Sequence, residues 1–200
     1  MKIYDISQEV LSCVVFPGDP KPVAEAILRM KDGAICNLTS FQMCAHNGTH
    51  VDAPFHFYEE GKTLEQMSLI SFVGMAFVAE HQGLVTKEDA LGILEKAKKY
   101  GNGCEKRILI KGNSVVTLEA AEVFAKEELL LVGNESQTVG PVDGPMAVHL
   151  VLLGKEIALL EGIRLGEVPE GAYLLHAAPL NFEGFDGAPC RATLIDLNNR

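Results

Sequence analysis

The sequence predicts a mixed α/β fold in which helices pack on a partly parallel sheet. Strand and helix patterns alternate over residues 72–161, and the composition, 48% hydrophobic and 22% charged, is typical of a globular protein. Two hundred residues suffice for one domain with a sizeable core, and no repeat, low-complexity run or linker divides them. We therefore expect residues 1–200 to form a single domain.

The first thirty residues predict strands and turns. Alternation over Ile3–Ser7, followed by the apolar stretch Val10–Phe16 and the segment Pro17–Pro20, indicates a strand, a loop and a turn. The stretch Val23–Met30 is ambiguous between helix and strand, because its alanines, glutamate and leucine favour a helix by propensity.

The middle of the chain alternates between the two kinds of element. Thr86 has the character of a helix N-cap, and Gly101 ends the helix that it starts, while Thr117 caps a second helix. The predicted elements are a loop or short helix over 61–70, a strand over 72–78, helices over 86–101 and 117–127, strands over 107–110 and 129–132, a short helix over 146–153 and a strand over 156–160 that leads to Glu161.

A dense group of metal-ligand side chains lies between residues 45 and 57. It holds three of the chain's six histidines, His46, His50 and His56, together with Asp52. Imidazole and carboxylate are ligands that Zn²⁺ and Mn²⁺ accept, and a catalytic site needs about three protein ligands and an open position. A lone histidine is more often a core or surface residue, but this spacing predicts that His46, His50 and Asp52 bind a metal ion.

The spacing of these residues also requires a turn. In a continuous strand His46 and His50 would stand about 13 Å apart, too far to share an ion. Asn47-Gly48 permits the turn, because glycine accepts positive φ without a steric cost. Beyond it, an extended segment would aim every second residue from His50 to one side until Pro54 ends the strand. His56 lies farther along, which fits proton transfer better than direct ligation.

Charge and cysteine content exclude several classes of protein. The formal net charge of −10 repels phosphate backbones and anionic membrane surfaces, so we expect no nucleic-acid or membrane partner. No signal-peptide pattern and no apolar run of about eighteen residues occurs, and we expect a cytoplasmic protein. Five scattered cysteines without a CxxC pair argue against both a disulfide framework and a thiolate zinc site.

The segment from His46 to His56 resembles the signature H-x-G-T-H-x-D-x-P-x-H of the cyclase family of metal-dependent hydrolases, which includes bacterial kynurenine formamidases and isatin hydrolases. Phe16 to Pro20 resembles the family's N-terminal PGD(P) segment, and Pro179 to Ala192 resembles its closing PL…G…PxRA segment. The resemblance implies an α/β fold of the swivelling β/β/α type, usually in a homodimer or homotetramer. It also implies strands over 23–30 and 36–44.

A second metal position is likewise implied by the resemblance. In the family it is completed by a histidine on a helix and a glutamate twelve residues later, and His149 and Glu161 stand in this relation. From the residues alone, His149 among apolar neighbours would be a core histidine and Glu161 a surface carboxylate. The resemblance implies that Asp52 bridges two ions. Some family members hold a single manganese, which would imply one ion instead. The implied cofactor is one or two Zn²⁺ or Mn²⁺ ions per chain.

The implied reaction is hydrolysis of a small-molecule amide, lactam or formamide. A metal-bound hydroxide would attack the carbonyl while His56 moves the protons. N-formylkynurenine is the leading candidate substrate, although kynurenine formamidases usually carry Trp in place of Phe16 and a Thr-Asp-Ser sequence in place of Asn134-Glu135-Ser136. We take Phe16, Phe57 and Ser136 as candidate substrate-binding residues.

Two other functions use the same residues. A cyclase or dehydratase acting on a small carbonyl substrate would need the same metal and base, and a non-catalytic metal-dependent binding protein would need the metal alone. The presence of His56 favours an enzyme over the second alternative.

Overall fold

The computed structural model describes residues 1–197, which contain thirteen strands and four α-helices. The strands are Lys2–Asp5 (β1), Val23–Leu28 (β2), Leu38–Gln42 (β3), His50–Asp52 (β4), Val73–Glu80 (β5), Gly83–Val85 (β6), Arg107–Lys111 (β7), Ser114–Val116 (β8), Leu131–Asn134 (β9), Ala158–Glu161 (β10), Gly171–His176 (β11), Gly187–Pro189 (β12) and Thr193–Asp196 (β13). The helices are Leu69–Phe72 (α1), Lys87–Tyr100 (α2), Leu118–Lys126 (α3) and Met146–Leu153 (α4).

A nine-stranded mixed sheet is the main element of the described chain. Its strand order is β1-β13-β11-β5-β7-β9-β10-β4-β12. The central strands β5, β7, β9 and β10 run parallel, and their neighbours on both sides pair antiparallel. Helices α2, α3 and α4 lie in the crossover connections that parallel strands require. The prediction of a mixed α/β fold with a partly parallel sheet is confirmed.

Side chains of the central strands alternate between two apolar clusters, as the period of a strand requires. On one face, Phe77 and Ile110 pack with buried residues of α2, α3 and α4. On the other face, Val78 and Leu109 belong to a second cluster that includes residues near both ends of the chain. Leu159 of β10 lies on the helix-covered face, and the polar residues of the candidate site project from that same face.

Helix ends follow the capping residues that the sequence supplies. The Thr86 hydroxyl accepts a hydrogen bond from the Asp89 N–H, and the Asp89 carboxylate accepts one from the Thr86 N–H, which forms a capping box. Thr117 caps α3 with its hydroxyl alone, which accepts a hydrogen bond from the Ala120 N–H. Gly101, which ends α2, has a φ of +68°. The predicted helices at Thr86 and Thr117 are therefore confirmed.

The structure resolves one ambiguous segment and shifts the start of two predicted strands. The ambiguous stretch at Val23 forms a strand, because antiparallel pairing with β3 outweighs the helix propensity of its residues. The strands predicted at 129–132 and 156–160 begin two residues later, at Leu131 and Ala158. Glu128 and Glu156 have φ values of +54° and +57°, so the chain still turns at these positions.

No helix among residues 1–197 combines the length and the apolar character needed to cross a bilayer.

Candidate metal centre

The candidate metal centre lies at one end of the sheet, where β4 runs between β10 and β12. Glu161 is paired with His50, and Asp52 is paired with Leu159 on one side and Gly187 on the other. Directly opposed residues of an antiparallel pair share a face, as do residues two apart along a strand. His50, Asp52 and Glu161 therefore project from the same side of the sheet, and all three are buried.

Helix α4 covers this side of the sheet and supplies His149. Leu152 of the helix and Leu159 of β10 belong to the same apolar cluster, which holds the helix against the strand. The His149 Nε2 atom lies 3.6 Å from Asp52 Oδ2 and 3.3 Å from Glu161 Oε1. The residues that the resemblance implies for a second metal position are thus brought together around Asp52.

The turn before β4 brings His46 to the same cluster. Gly48 has a φ of +66°, a conformation that favours glycine, and the Asn47 side chain accepts a hydrogen bond from the Cys44 N–H. As a result, the imidazole rings of His46 and His50 lie 5.1 Å apart. The His46 Nδ1 atom lies 2.9 Å from Asp52 Oδ1, and the His50 Nε2 atom lies 3.4 Å from the same oxygen.

Each of these histidines has one ring nitrogen turned away from the cluster towards an oxygen acceptor. His50 Nδ1 lies 3.0 Å from the Gly48 carbonyl oxygen, and His149 Nδ1 lies 3.0 Å from the Pro145 carbonyl oxygen. A carbonyl can only accept, so both rings carry a proton on Nδ1. In the neutral rings, the Nε2 lone pairs then point at the carboxylates, an arrangement that a cation between them stabilises.

Most distances between the donor atoms fit shared ions better than direct hydrogen bonds, and the exception is the 2.9 Å from His46 Nδ1 to Asp52 Oδ1, which is a hydrogen bond. Hydrogen bonds from imidazole to carboxylate measure about 2.7–3.2 Å, whereas two ligands about 2.1 Å from a tetrahedral ion stand about 3.4 Å apart. His50 Nε2 lies 3.5 Å from Glu161 Oε2, and its distance to Asp52 and both distances from His149 are similar. Asp52 Oδ2 is buried and has no hydrogen-bond partner among the described residues.

Two groups of three residues that share Asp52 therefore meet the requirements of a divalent cation. The ligand atoms of His46, His50 and Asp52 lie within 4.8 Å of one another, and so do those of Asp52, His149 and Glu161. Nitrogen and carboxylate oxygen are the donor types that Zn²⁺ and Mn²⁺ accept. The residues present fit one or two such ions, with Asp52 common to both groups.

Without an ion, the carboxylates raise the pKa of the histidines. Burial opposes the charged form of His46, but the hydrogen bonds to Asp186 and Asp52 outweigh burial and raise its pKa to about 11. For His50 and His149, burial is likewise outweighed by Asp52 and Glu161, and the pKa rises to about 9 and about 10. Burial alone would raise the pKa of Asp52, yet the surrounding histidines hold it well below its usual range.

His56 lies beside this cluster at its more exposed side. The short strand predicted from His50 ends at Asp52, before Pro54, and Pro54–His56 forms a turn of 3₁₀ helix. The turn places the His56 ring against the His46 ring, with centroids 4.1 Å apart. The His56 side chain is 28% exposed, against 1% for Asp52. A proton can therefore reach His56 from solvent.

Asp186 is a site residue that sequence reasoning missed. Its Oδ2 atom lies 2.8 Å from His46 Nε2 and 3.2 Å from His56 Nδ1. The hydrogen bonds from these two histidines lower the pKa of Asp186. It directly precedes Gly187 and Ala188 of the closing family-like segment, and this position was the only signal in the sequence.

The candidate substrate-binding residues lie in different places. The Phe57 ring is 4.9 Å from the His149 ring and 4.7 Å from the His56 ring, so it borders the cluster. Ser136 is tied to the residue that follows Glu161, because its carbonyl oxygen accepts a hydrogen bond from the Gly162 N–H, and its hydroxyl accepts one from the Thr138 N–H. Phe16 is half-buried in a turn closed by the Asp19 N–H, and no hydrogen bond or ring contact within residues 1–197 joins it to the histidines.

A family model described as putative cyclase matches residues 4–141, more than half of the chain. Among curated proteins, the kynurenine formamidase of Salinibacter ruber is 33% identical over 98% of this chain and 98% of its own length. The kynurenine formamidase of Erythrobacter litoralis is 29% identical over 98% of this chain and 94% of its own.

Solved structures show the same architecture. A structure described as a potential metal-dependent hydrolase with cyclase activity has a TM-score of 0.78 and 26% identity, and the match covers 96% of each chain. Isatin hydrolase A from Labrenzia aggregata has a TM-score of 0.82 at 19% identity and covers 96% of this chain and 93% of its own. The second likeness concerns the fold alone.

Proposed function

The chain belongs to the cyclase family, and on that premise we propose that it is a metal-dependent hydrolase that cleaves a C–N bond in a small amide, lactam or formamide. N-formylkynurenine, an aromatic formamide, is the leading candidate substrate, because the curated relatives at 29–33% identity are kynurenine formamidases. Zn²⁺ or Mn²⁺ is the proposed cofactor.

One observation carries this proposal. Five donor residues from β4, β10, α4 and the turn before β4 converge on a buried space, and the separations around His50 and His149 are those of ligands around ions. Buried charges are costly unless they are paired or bind a metal. A bound cation therefore explains why so many imidazoles and carboxylates face one another in the core more simply than a contribution of these residues to folding stability does. The five are His46, His50, Asp52, His149 and Glu161.

Hydrolysis of an amide requires a nucleophile, polarisation of the carbonyl and a proton for the departing nitrogen. A bound divalent ion supplies the first two by lowering the pKa of water and by acting as a Lewis acid. His46, His50 and Asp52 would hold one ion, and Asp52, His149 and Glu161 the other. His56 takes a proton from the water and delivers it to the nitrogen, since its part-exposed imidazole lies against the ligand ring of His46.

Aromatic side chains beside the cluster and in the loop that leads to Asp186 support an aromatic substrate. Phe57 borders both His56 and His149. Phe182 and Phe185 stack with ring centroids 4.6 Å apart in the loop that ends at Asp186, and both are partly exposed. A planar substrate ring gains from such neighbours by offset or edge-to-face packing.

The assembly that the family resemblance implies and the location expected from the sequence are also proposals. We propose a homodimer or homotetramer in the cytoplasm. Analytical ultracentrifugation would test the first statement and cell fractionation the second.

Elemental analysis of protein purified without added metal, paired with an assay on N-formylkynurenine before and after chelation, tests the proposal. We expect about two equivalents of Zn²⁺ or Mn²⁺ and formamidase activity that the chelator abolishes and the metal restores. Protein without metal and without metal-dependent activity would contradict it.

The assay in ¹⁸O-labelled water separates hydrolysis from the alternative of a cyclase or dehydratase. A hydrolase incorporates one labelled oxygen into the new carboxylate, whereas ring closure or loss of water incorporates none. Turnover without label would therefore favour the alternative.

A further inference from the structure

Asp186 contacts two histidines to which the proposed function gives different tasks. Its Oδ2 atom lies at hydrogen-bond distance from His46 Nε2, 2.8 Å, and from His56 Nδ1, 3.2 Å. A carboxylate oxygen has two lone pairs and can accept both bonds at once. The carboxylate thus joins the proposed ligand His46 to the proposed proton carrier His56.

The backbone around Asp186 holds this carboxylate in place. The Ala53 N–H donates a hydrogen bond of 2.8 Å to the Asp186 carbonyl oxygen, and the next residue, Gly187, is paired with Asp52 in the sheet. A Cβ atom on Gly187 would lie 2.7 Å from both His46 Cε1 and the Val51 carbonyl oxygen. Only glycine lets the His46 ring pack this closely on the strand, directly beside the preceding carboxylate.

The two bonds determine which ring nitrogens remain available. Because a carboxylate only accepts, the bond to Asp186 keeps a proton on His46 Nε2. Nδ1, which donates to Asp52 in the metal-free protein, is then the nitrogen that is left to bind a metal ion. By the same reasoning, His56 carries a proton on Nδ1 and keeps Nε2 for proton exchange. A histidine without such a partner exchanges between its two tautomers, and only one of them serves each task.

We infer that Asp186 is a positioning residue that fixes the tautomer and orientation of both His46 and His56, and so couples metal binding to proton transfer. The inference rests on the proposed function for the tasks of the two histidines. The hydrogen bonds themselves do not depend on it.

A third metal ion is the main alternative for these residues, because the ligand atoms of His46, His56 and Asp186 also lie within 4.8 Å of one another. The distances favour hydrogen bonds. Asp186 stands 2.8 Å and 3.2 Å from the two nitrogens, shorter than the 3.3–3.6 Å separations around His149 and His50. His46 would also have to bridge two ions through both ring nitrogens.

Asp186→Asn tests the inference, because asparagine keeps the size and one acceptor oxygen but loses the charge. Glu183→Gln is the matched control, since it removes one charge from an exposed side chain in the same loop. Zinc-loaded, ¹⁵N-labelled protein is used throughout, because Zn²⁺ is diamagnetic and does not broaden NMR signals. Long-range ¹H–¹⁵N correlation reports which ring nitrogen of each histidine carries the proton. Competition with a chelator reports zinc affinity.

We expect the wild type and Glu183→Gln to show His56 protonated on Nδ1. In Asp186→Asn the two tautomers of His56 should exchange, zinc affinity should fall by about 10- to 100-fold, and kcat at saturating zinc should fall by about 100-fold with KM little changed. Circular dichroism would show that the variant folds. Asp186→Ala, which removes the acceptor altogether, should show the larger loss on each measure.

Unchanged tautomers and zinc affinity in Asp186→Asn would overturn the inference. Loss of a whole equivalent of zinc would also overturn it, in favour of a third metal ion. Lack of amide turnover in the wild type would count against the proposed function, whereas the NMR and zinc measurements would still decide the role of Asp186.

Discussion

The candidate centre has two parts that share a histidine-carboxylate chemistry but differ in exposure. The inner group, Asp52, His149 and Glu161, has side chains 1%, 4% and 3% exposed. The outer group, His46, His56 and Asp186, has side chains 13%, 28% and 40% exposed. A buried carboxylate requires a permanent counter-charge, whereas a part-exposed one is stabilised by water and hydrogen bonds. We therefore propose that the inner group retains metal and that His56 and Asp186 of the outer group serve proton exchange, while His46 is also a ligand of the proposed first ion.

The largest effect is expected for Asp52, the carboxylate common to both proposed metal positions. Asp52→Asn keeps the shape but removes the charge shared by two ions, so both ions should be lost. Activity should fall by more than about 1,000-fold, because an ion supplies several kcal/mol of transition-state stabilisation. Elemental analysis and the formamide assay measure the two losses. Asp143→Asn, an exposed control, should leave both unchanged.

His56→Ala should lower activity without loss of metal, and so distinguish the role of the outer group from that of the inner group. Removing a positioned proton carrier typically lowers the rate by about 100- to 10,000-fold, while both ions should stay bound because His56 is outside the two proposed ligand sets. Steady-state kinetics and elemental analysis of the same preparation make the comparison. His176→Ala, which removes an exposed histidine elsewhere, is the control. Normal turnover in His56→Ala would remove this residue from the mechanism.

The two groups also differ in how far the sequence alone could predict them. His46, His50 and His56 lie within eleven residues, so spacing and one turn were enough to group them. Glu161 and His149 required the family resemblance, because their meeting depends on the pairing of β10 with β4 and on a helix that crosses the sheet. Such long-range register leaves no local pattern.

Asp186 shows where sequence reasoning ends. It is separated from His46 by 140 residues, and its loop has neither helical nor strand periodicity. The same limit applies to the fold. Elements marked by local capping residues, such as α2, were predicted to within a residue or two. Strands β6, β8, β12 and β13 were not predicted, because they are three or four residues long and depend on partners distant in the sequence.

Glu161→Gln should affect the inner group more than the outer. The glutamate Oε1 atom is held by the Val139 N–H at 2.7 Å and faces His149 at 3.3 Å. A glutamine keeps the backbone contact but has only one carbonyl acceptor, so the ion shared with His149 should bind about 10- to 100-fold more weakly. Zinc titration should then resolve one tight and one weak equivalent. Two equally tight equivalents would contradict the two-ion arrangement.

The smallest effect is expected in the pH dependence of the melting temperature of the metal-free protein, which needs no substitution and tests the charge state of the histidines in both groups. The pKa values of His50, His149 and His46 rise to about 9, about 10 and about 11 from 6.5. Groups with a raised pKa stabilise the folded state fully below the unfolded pKa, and this stability is lost as pH rises through the folded values. The melting temperature of metal-free protein should therefore decline from about pH 6.5 towards pH 11.

Zinc should replace these protons, because a metal ligand must be deprotonated. At pH 8, metal binding should release about three protons, one from each raised histidine, and a weakly buffered titration with an indicator dye would count them. The zinc-loaded protein should lack the decline between pH 6.5 and 9 that the metal-free protein shows. Zinc binding without proton release would mean that the carboxylates of the inner group do not keep the facing histidines charged, and that burial alone determines their state.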